Sequence, residues 1–396
     1  MKLPFADWQA RAGMSELLRV LGAGEGETRY VGGCVRDALL GIAVNDVDLA
    51  TRLAPEEVLR RLKEAGIKAV PTGLAHGTIT AVIAGKPVEV TTLRRDVSTD
   101  GRRATIAYTD DWREDAARRD FTINALSADP ASREIFDYFG GEADLEARTV
   151  RFIGEPLKRI AEDHLRILRF FRFHARFGRG EADGAALDAC TERANDLMAL
   201  SRERIADELL KLLALHDPAP TVRLMIARRI FAPVLPEIAE ADRLARLVER
   251  EREAGVEPNA VRRLAALLPE DVEVAAAVAA RLRLSKKAAK RLCSAATPNE
   301  LAASAQGLAY RIGAEEAADR LLLGEGDLAE AKALGAWERP RLLIGGGDLI
   351  RMGLAPGPVV AGTLQAIERA WAESGFPSDP EAQRDIARSF VEEALR

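Results

Sequence analysis

Cysteine, histidine and aromatic residues are all scarce in this chain. Its 396 residues include three cysteines and four histidines. Cys34, Cys190 and Cys293 are odd in number, far apart and never in a CxxC pair. That spacing excludes a disulfide framework and a cysteine-based zinc site, and it fits a reducing cytoplasm. His76, His164, His174 and His216 show no metal-ligand spacing. No run approaches the ~18–20 apolar residues of a membrane span. Residues 1–22 lack the apolar stretch of a signal peptide. Asp7, Arg11, Glu16 and Arg19 instead make them read as an amphipathic helix. An excess of positive charge is also missing: 57 Lys and Arg face 62 Asp and Glu, for a net charge of −5. Any contact with nucleic acid must then use local patches rather than whole-molecule attraction. There is no fixed-period repeat and no low-complexity tract.

What is present is a globular composition, 47% hydrophobic and 30% charged, with ample material for a core. At roughly 100–200 residues per domain, two or three domains are expected. The first 150 residues mix two periods. Short β-branched or alternating runs occupy 47–50, 78–83 and 88–93, the last two joined by the turn Ala84-Gly85-Lys86-Pro87. A helix should start near Pro55, with Glu56 and Glu57 in its first turn, and stop at Gly66. A second helical pattern covers 115–127. After about residue 150 the strand pattern nearly vanishes, and Ala, Leu, Arg and Glu dominate. The expected fold is α+β: a small mixed β-sheet with helices in front, then an all-α remainder.

Two local features bear on chemistry. Tyr30-Val31-Gly32-Gly33 reads as a strand end and tight turn, leading into a short helix closed by Gly41. Glycines there let the backbone approach a ligand, and the helix start aims free N–H groups at an anion. Arg36, in the first helical turn, could add a charge-assisted bond to a phosphate. Farther on, Asn45-Asp46-Val47-Asp48 places two carboxylates two residues apart, on one face if the segment is a strand. Both could then grip the same divalent ions. Glu89 is a third acid, flanked by Val88 and Val90. Taken singly, each feature has an ordinary reading: a turn, a polar bend, an acid on a strand's surface face.

Together they resemble the DNA polymerase β nucleotidyltransferase superfamily, whose pattern is a glycine pair, about a dozen residues, Asp-x-Asp and a later lone acid on a strand. Four further segments narrow the resemblance to class II CCA-adding enzymes, the tRNA nucleotidyltransferases. These are Arg118-Arg119-Asp120-Phe121-Thr122-Ile123-Asn124-Ala125, Phe136-Asp137-Tyr138-Phe139-Gly140-Gly141, Glu162-Asp163-His164-Leu165-Arg166 with Arg169 and Arg172, and Ser201-Arg202-Glu203-Arg204-Ile205 with Glu208. All five motifs fall in order between about residues 28 and 213.

The resemblance implies a catalytic head over 1–150, a helical neck over 151–216 that recognises the base, and a helical body and tail over 217–396 that bind tRNA. It implies attack of an RNA 3′-hydroxyl on the α-phosphate of CTP or ATP, with pyrophosphate leaving. Asp46, Asp48 and, as an inference from position, Glu89 would hold two Mg²⁺ ions. Gly32, Gly33 and Arg36 would cradle phosphates, and Arg119, Asp120 and Asn124 would lie near ribose and phosphates. Asp163 and Arg166 are three apart, side by side on a helix. A carboxylate only accepts and a guanidinium only donates. The pair complements the amino group and ring nitrogen that cytosine and adenine both offer, and opposes uracil and guanine. A surface ion pair is the plainer reading of the same spacing. Arg169 and Arg172 are further candidates for the nucleotide site.

Phe170, Phe171, Phe173 and Phe177, interleaved with these arginines, are read as core. The basic run from Arg281 to Arg291 contains Lys286, Lys287 and Lys290, candidates for contact with the tRNA backbone, or simply a solvated helix face. The polar, poorly periodic segment from Arg94 to Trp112 resembles the flexible loop the family uses when adding the terminal A. Bacterial poly(A) polymerases share all five motifs, but His76-Gly77-Thr78 is similar to the tRNA enzymes. An enzyme that adds only A is a further possibility, and from another class a catalytically idle RNA-binding protein on the same fold. The resemblance also implies a monomer, and the lack of a long apolar run leaves no membrane partner expected.

Overall fold

A computed structural model describes residues 2–100, 103–297 and 304–396, with side chains described outside 96–105. The chain divides into two compact units, Met1–Glu208 with Ala227–Val234, and Leu209–Ile226 with Leu235–Arg396. Apart from residues 209–216, the expected head and neck lie in the first unit.

The first unit opens with helix α1 (Met14–Val20), followed by strand β1 (Thr28–Val31), α2 (Gly33–Leu39), β2 (Asp48–Thr51) and α3 (Pro55–Glu64). Pro55 supplies the preset φ of a first helical position, Glu56 and Glu57 complement the helix dipole, and Gly66 at φ 69° takes the chain out. Strands β3 (Lys68–Gly73), β4 (Thr78–Ile83) and β5 (Lys86–Thr92) follow. Ala84 and Gly85 both have positive φ and close the β4–β5 hairpin as a two-residue turn, so Lys86 and Pro87 belong to the strand. Next come β6 (Arg94–Asp100), β7 (Arg103–Tyr108), α4 (Trp112–Ala117), β8 (Ser127–Ala128) and β9 (Ile135–Phe136).

Seven strands form one sheet in the order β3-β4-β5-β2-β1-β8-β9, and β6 and β7 form a separate ribbon. In the large sheet β2 and β5 run parallel and the other neighbours antiparallel. Strand alternation puts Ile79, Ala81, Ile83, Val88 and Val90 into the core, leaving Glu89 on the opposite face. Four helices complete this unit's described chain up to residue 192: α5 (Gly141–Glu146), α6 (Pro156–Glu162), α7 (Arg166–Phe177) and α8 (Gly184–Glu192). Helix α9 (Arg202–Leu213) starts in it. Phe170, Phe171, Phe173 and Phe177 are all buried, as expected, and Phe121 packs on Phe152 and Phe173 at 5.0 and 5.1 Å. Beyond Phe136 no strand occurs among the described residues.

Three expectations need correction. The helix expected over residues 1–22 is confined to Met14–Val20, because Gly13 sits at φ 85°, outside helical geometry. The helix expected over 115–127 ends at Ala117. The Asp120 carboxylate takes the Phe121 N–H (2.9 Å) and the Asn124 amide (2.9 Å), and Phe121 is extended. Local side-chain bonds of this kind compete with helix. The segment from Arg94 to Trp112, read as irregular, forms the β6–β7 ribbon and then enters α4; residues 101 and 102 lie outside the described residues.

In the second unit, α10 (Ala219–Ala227), most of which lies here, is followed by α11 (Asp242–Ala254), α12 (Ala260–Ala265), α13 (Val272–Arg281), α14 (Lys286–Ala295), α15 (Ala305–Ile312) and α16 (Ala314–Leu323), with more helices to the C-terminus. Its interior holds a charge network. Glu251 on α11 pairs with Arg262 (2.6 Å) and Arg263 (2.8 Å) on α12, and Arg262 also reaches Asp319 on α16 (3.1 Å). Arg263 donates to the carbonyls of Leu213, Leu215 and His216, satisfying acceptors that a helix end leaves open. Glu251→Ala leaves Arg263 buried with no acid and Arg262 with Asp319 alone. It is expected to lower stability by about 3–5 kcal/mol in urea denaturation, whereas a surface exchange such as Glu249→Ala leaves the midpoint nearly unchanged.

Candidate nucleotide site

The turn after β1 is the first wall of the site. Gly32 has φ 69°, and a Cβ there would stand 2.8 Å from Nη1 of Arg119. A side chain is excluded both by the backbone and by this close approach. Helix α2 begins at Gly33, and Arg36, expected in its first turn, falls in the last turn of this short helix and is 6% exposed. The Arg36 guanidinium bonds Asp37 (2.8 Å) and the side-chain amide oxygen of Asn124, and lies 4.1 Å over the Phe177 ring. One hydrogen on each Nη remains available. Burial pushes its pKa down against the pull of Asp37.

Asp120, Asn124 and Arg169 form the second wall. Asp120 is buried and accepts from the Asn124 amide, the Phe121 N–H and Arg169 (2.8 and 2.5 Å). Burial opposes its ionisation, but Arg169, Asn124 and Phe121 outweigh that and hold its carboxyl below the usual range. Because Asp120 only accepts and Arg36 only donates, the orientation of the Asn124 amide is fixed between them. Arg169 also nears Glu208 (3.7 Å), which holds Arg172 at 2.6 Å.

The third wall corrects a local expectation. Asp163 and Arg166 do not share a continuous helix. Helix α6 stops at Glu162, Asp163 is extended at φ −154° and ψ 107°, and α7 starts at Arg166. Asp163 accepts the Leu165 N–H (3.1 Å), an Asx turn that breaks the helix. Its other oxygen pairs with Arg204 (2.7 Å) rather than Arg166. Arg166 bonds Glu162, the Arg159 carbonyl (2.8 Å) and the Arg118 carbonyl (3.2 Å). Arg204 had been part of a recognised motif without an assigned role. No local periodicity could pair it with an acid 41 positions away.

These walls enclose an open cavity of about 430 Å³ lined by Gly32, Gly33, Arg36, Arg119, Asp120, Asn124, Asp163, Arg166, Arg169 and Phe173. Arg172 and the three sheet carboxylates are not among its lining residues. Asp48 opens β2 and is in parallel register with Glu89 on β5, so both side chains leave the same face of the sheet. Asp46 lies ahead of β2, but the Glu89 N–H donates to the Val47 carbonyl (3.2 Å), so pairing reaches back to that residue. Burial, then the nearby Glu89, raises the Asp48 carboxyl to about 6; Asp46 adds to this and Arg119 opposes it. Among the described residues, no group of three or more His, Cys, Asp or Glu is arranged to hold a metal by itself. Mutually repelling carboxylates, one half-buried, nonetheless suit Mg²⁺, which usually takes one or two carboxylates and completes its shell with water and substrate phosphate.

In the second unit Lys286, Lys287 and Lys290 are exposed at the start of α14. Lys287 nears Glu315 (3.4 Å) and Lys290 nears Glu316 (3.5 Å), so much of this basic run is locally balanced.

The chain resembles known proteins in sequence and in fold. Residues 28–151 match the poly A polymerase head domain, and residues 183–242 match a probable RNA- and SrmB-binding site of polymerase A. The chain is 34% identical to the mitochondrial CCA tRNA nucleotidyltransferase 1 of Mus musculus, over 95% of this chain and 90% of that protein. It is 30% identical to the CCA-adding enzyme of Lacticaseibacillus paracasei over the full length of both. The crystal structure of the Bacillus stearothermophilus CCA-adding enzyme in complex with CTP superposes with a TM-score of 0.75 at 26% identity, covering 96% of this chain and 99% of that one. With residues of three of its motifs lining one cavity and its likeness running end to end, the chain belongs to the family of CCA-adding enzymes, the CCA tRNA nucleotidyltransferases.

Proposed function

We propose that this protein adds C, C and A to the 3′ end of tRNA from CTP and ATP without a nucleic-acid template. The observation that carries this reading is the single cavity in which donor-only arginines and acceptor-only aspartates from separate motifs converge. Asp46 and Asp48, with Glu89 beside them, would hold two Mg²⁺ ions. When bound, these would lower the pKa of the attacking 3′-hydroxyl and neutralise charge on the triphosphate. The Gly32-Gly33 turn, Arg36 and Arg119 offer hydrogen-bond donors to the phosphates. Asp120 and Asn124 lie where ribose and phosphate would pass, and Arg169 and Arg172 support that wall.

Base choice falls to Asp163 and Arg166. Each Asp163 oxygen has a partner within the chain but keeps a lone pair to accept a base amino group. Arg166 commits its Nη1 hydrogens and one Nη2 hydrogen, leaving Nε and the other Nη2 hydrogen to donate to a ring nitrogen. Uracil and guanine would leave these groups unpaired, at about 1–3 kcal/mol each. Head over 1–150, neck over 151–216 and tRNA-binding body and tail over 217–396 remain the proposed division of labour, with Lys286, Lys287 and Lys290 as phosphate contacts. No helix is long and apolar enough to cross a membrane among the described residues, and the described cysteines are free. We place the protein in the cytoplasm, as a monomer.

A poly(A) polymerase, an enzyme adding only A and an idle RNA-binding protein differ in product. Offered tRNA transcripts ending before CCA, after C and after CC, the protein is expected to complete each to CCA when both nucleotides are present. Long A tails, A addition alone or no incorporation would replace this reading, and Asp46→Ala should abolish incorporation while tRNA binding persists. Asp163→Ala should relax discrimination against UTP by about tenfold or more, the equivalent of one lost buried bond; unchanged discrimination removes Asp163 from base choice.

Asp48 yields a test independent of activity. Its raised pKa favours the protonated form of the folded, metal-free chain. That contribution is fully present below the ordinary carboxylate range and is lost as pH rises through about 6. Mg²⁺ binding needs the ionised form. The rise in thermal midpoint on adding Mg²⁺ is therefore expected to be larger above pH 6 than below it, and to shrink in Asp48→Asn.

A further inference from the structure

One buried carboxylate beside the cavity belongs to none of the residues assigned above. Asp115 sits on α4 with its side chain 5% exposed. It accepts from Arg118 Nε (2.8 Å), from Arg119 Nη2 (3.2 Å) and from the backbone N–H of Arg94 (3.3 Å), the first residue of the β6–β7 ribbon. Burial opposes its ionisation, but Arg119, Arg118 and the Arg94 N–H outweigh that and keep its carboxyl below the usual range.

Two of these partners lead to walls of the cavity and the third to the root of the ribbon. Arg119 stands against the Gly32 turn and donates to the Asn124 carbonyl (3.4 Å). The Arg118 carbonyl accepts from Arg166 (3.2 Å). Arg94 also donates to the His76 carbonyl, which fixes the root of the ribbon beside β4. An arginine has many rotamers, and one that is 20% exposed, like Arg119, holds a single position only if something anchors it. Asp115 is the acid that does so, and the ribbon root supplies one of the bonds that hold Asp115.

We infer that Asp115 is a positioning residue for nucleotide binding: it anchors Arg119 across the Gly32 turn so that the guanidinium is in place before a triphosphate arrives. This rests on the reading of the cavity as the nucleotide site. The anchoring does not depend on which base is bound, so CTP and ATP are affected alike. Losing it removes binding common to ground and transition states, and the change appears in KM more than in kcat.

The experiment uses the full chain with a tRNA substrate. Asp115→Asn keeps shape and removes charge; KM for both CTP and ATP is expected to rise about tenfold with kcat within about threefold. Because Asp115 acts through Arg119, adding Asp115→Asn to Arg119→Ala should change KM little further. A structural role alone predicts a lowered thermal midpoint and KM effects that multiply in the double variant; that result, or an unchanged KM, overturns the inference. Should Asp115→Asn not fold, Asp115→Glu, which keeps the charge but displaces it by a methylene, takes its place in the same cycle. Asp48→Asn serves as the separate check on the site itself. If it retains full incorporation, the site reading fails, whereas an inactive Asp48→Asn beside an unaffected Asp115→Asn defeats only this inference.

Discussion

The buried carboxylate of Asp120 is the constraint around which the site is assembled. Removed from water, it must be fully hydrogen-bonded or become neutral. Its acceptors are filled by groups from two places: Phe121 and Asn124 next to it in the chain, and Arg169 on α7, 49 residues away. Through Asn124 the constraint passes to Arg36 on α2, and through Arg169 to Glu208 and Arg172. Three helices and the glycine turn are thereby fixed by one chain of donors and acceptors. Breaking it anywhere would leave a charge without a partner.

That arrangement suits a site whose ligand is an anion. The cavity already holds more guanidiniums than carboxylates, but each arginine is partly occupied by a partner within the chain. The arginines are thus held in place without a ligand, and keep free hydrogens to donate when one arrives. Little reorganisation is then needed on binding, the general advantage of a preorganised polar site. The sheet carboxylates show the opposite condition. Burial, Glu89 and Asp46 all disfavour the ionised form of Asp48, which is easier to protonate than an ordinary aspartate. A divalent cation would relieve that repulsion.

The second unit uses buried charge differently. Glu251, Arg262, Arg263 and Asp319 form a buried network that Asp319 extends to Arg291, and Arg263 satisfies carbonyls at the end of α9. Such networks contribute modestly to net stability but tolerate few alternative packings, because every misplaced partner strands a charge. Its role here is to define how α11, α12 and α16 meet.

The sequence by itself determined the elements and most of the residues that meet in the site. Gly32 had to be glycine because the backbone there has positive φ and Arg119 lies against it, and the motif spacing made that legible. Hydrophobic alternation located β4 and β5, and the change of period after residue 150 marked the helical remainder. The tertiary structure alone decided the partners. Asp163 was expected beside Arg166, but the chain breaks at Asp163 and brings up Arg204 from α9. The 115–127 helix was lost to Asp120, whose bonds to Phe121 and Asn124 compete with helix but leave no periodic trace. Asp115 carries no mark in the sequence, because a buried acid and an exposed one look alike there. Local pattern records which backbone shapes and polarities are permitted; which charge neutralises which depends on segments dozens of residues apart, and folding decides that.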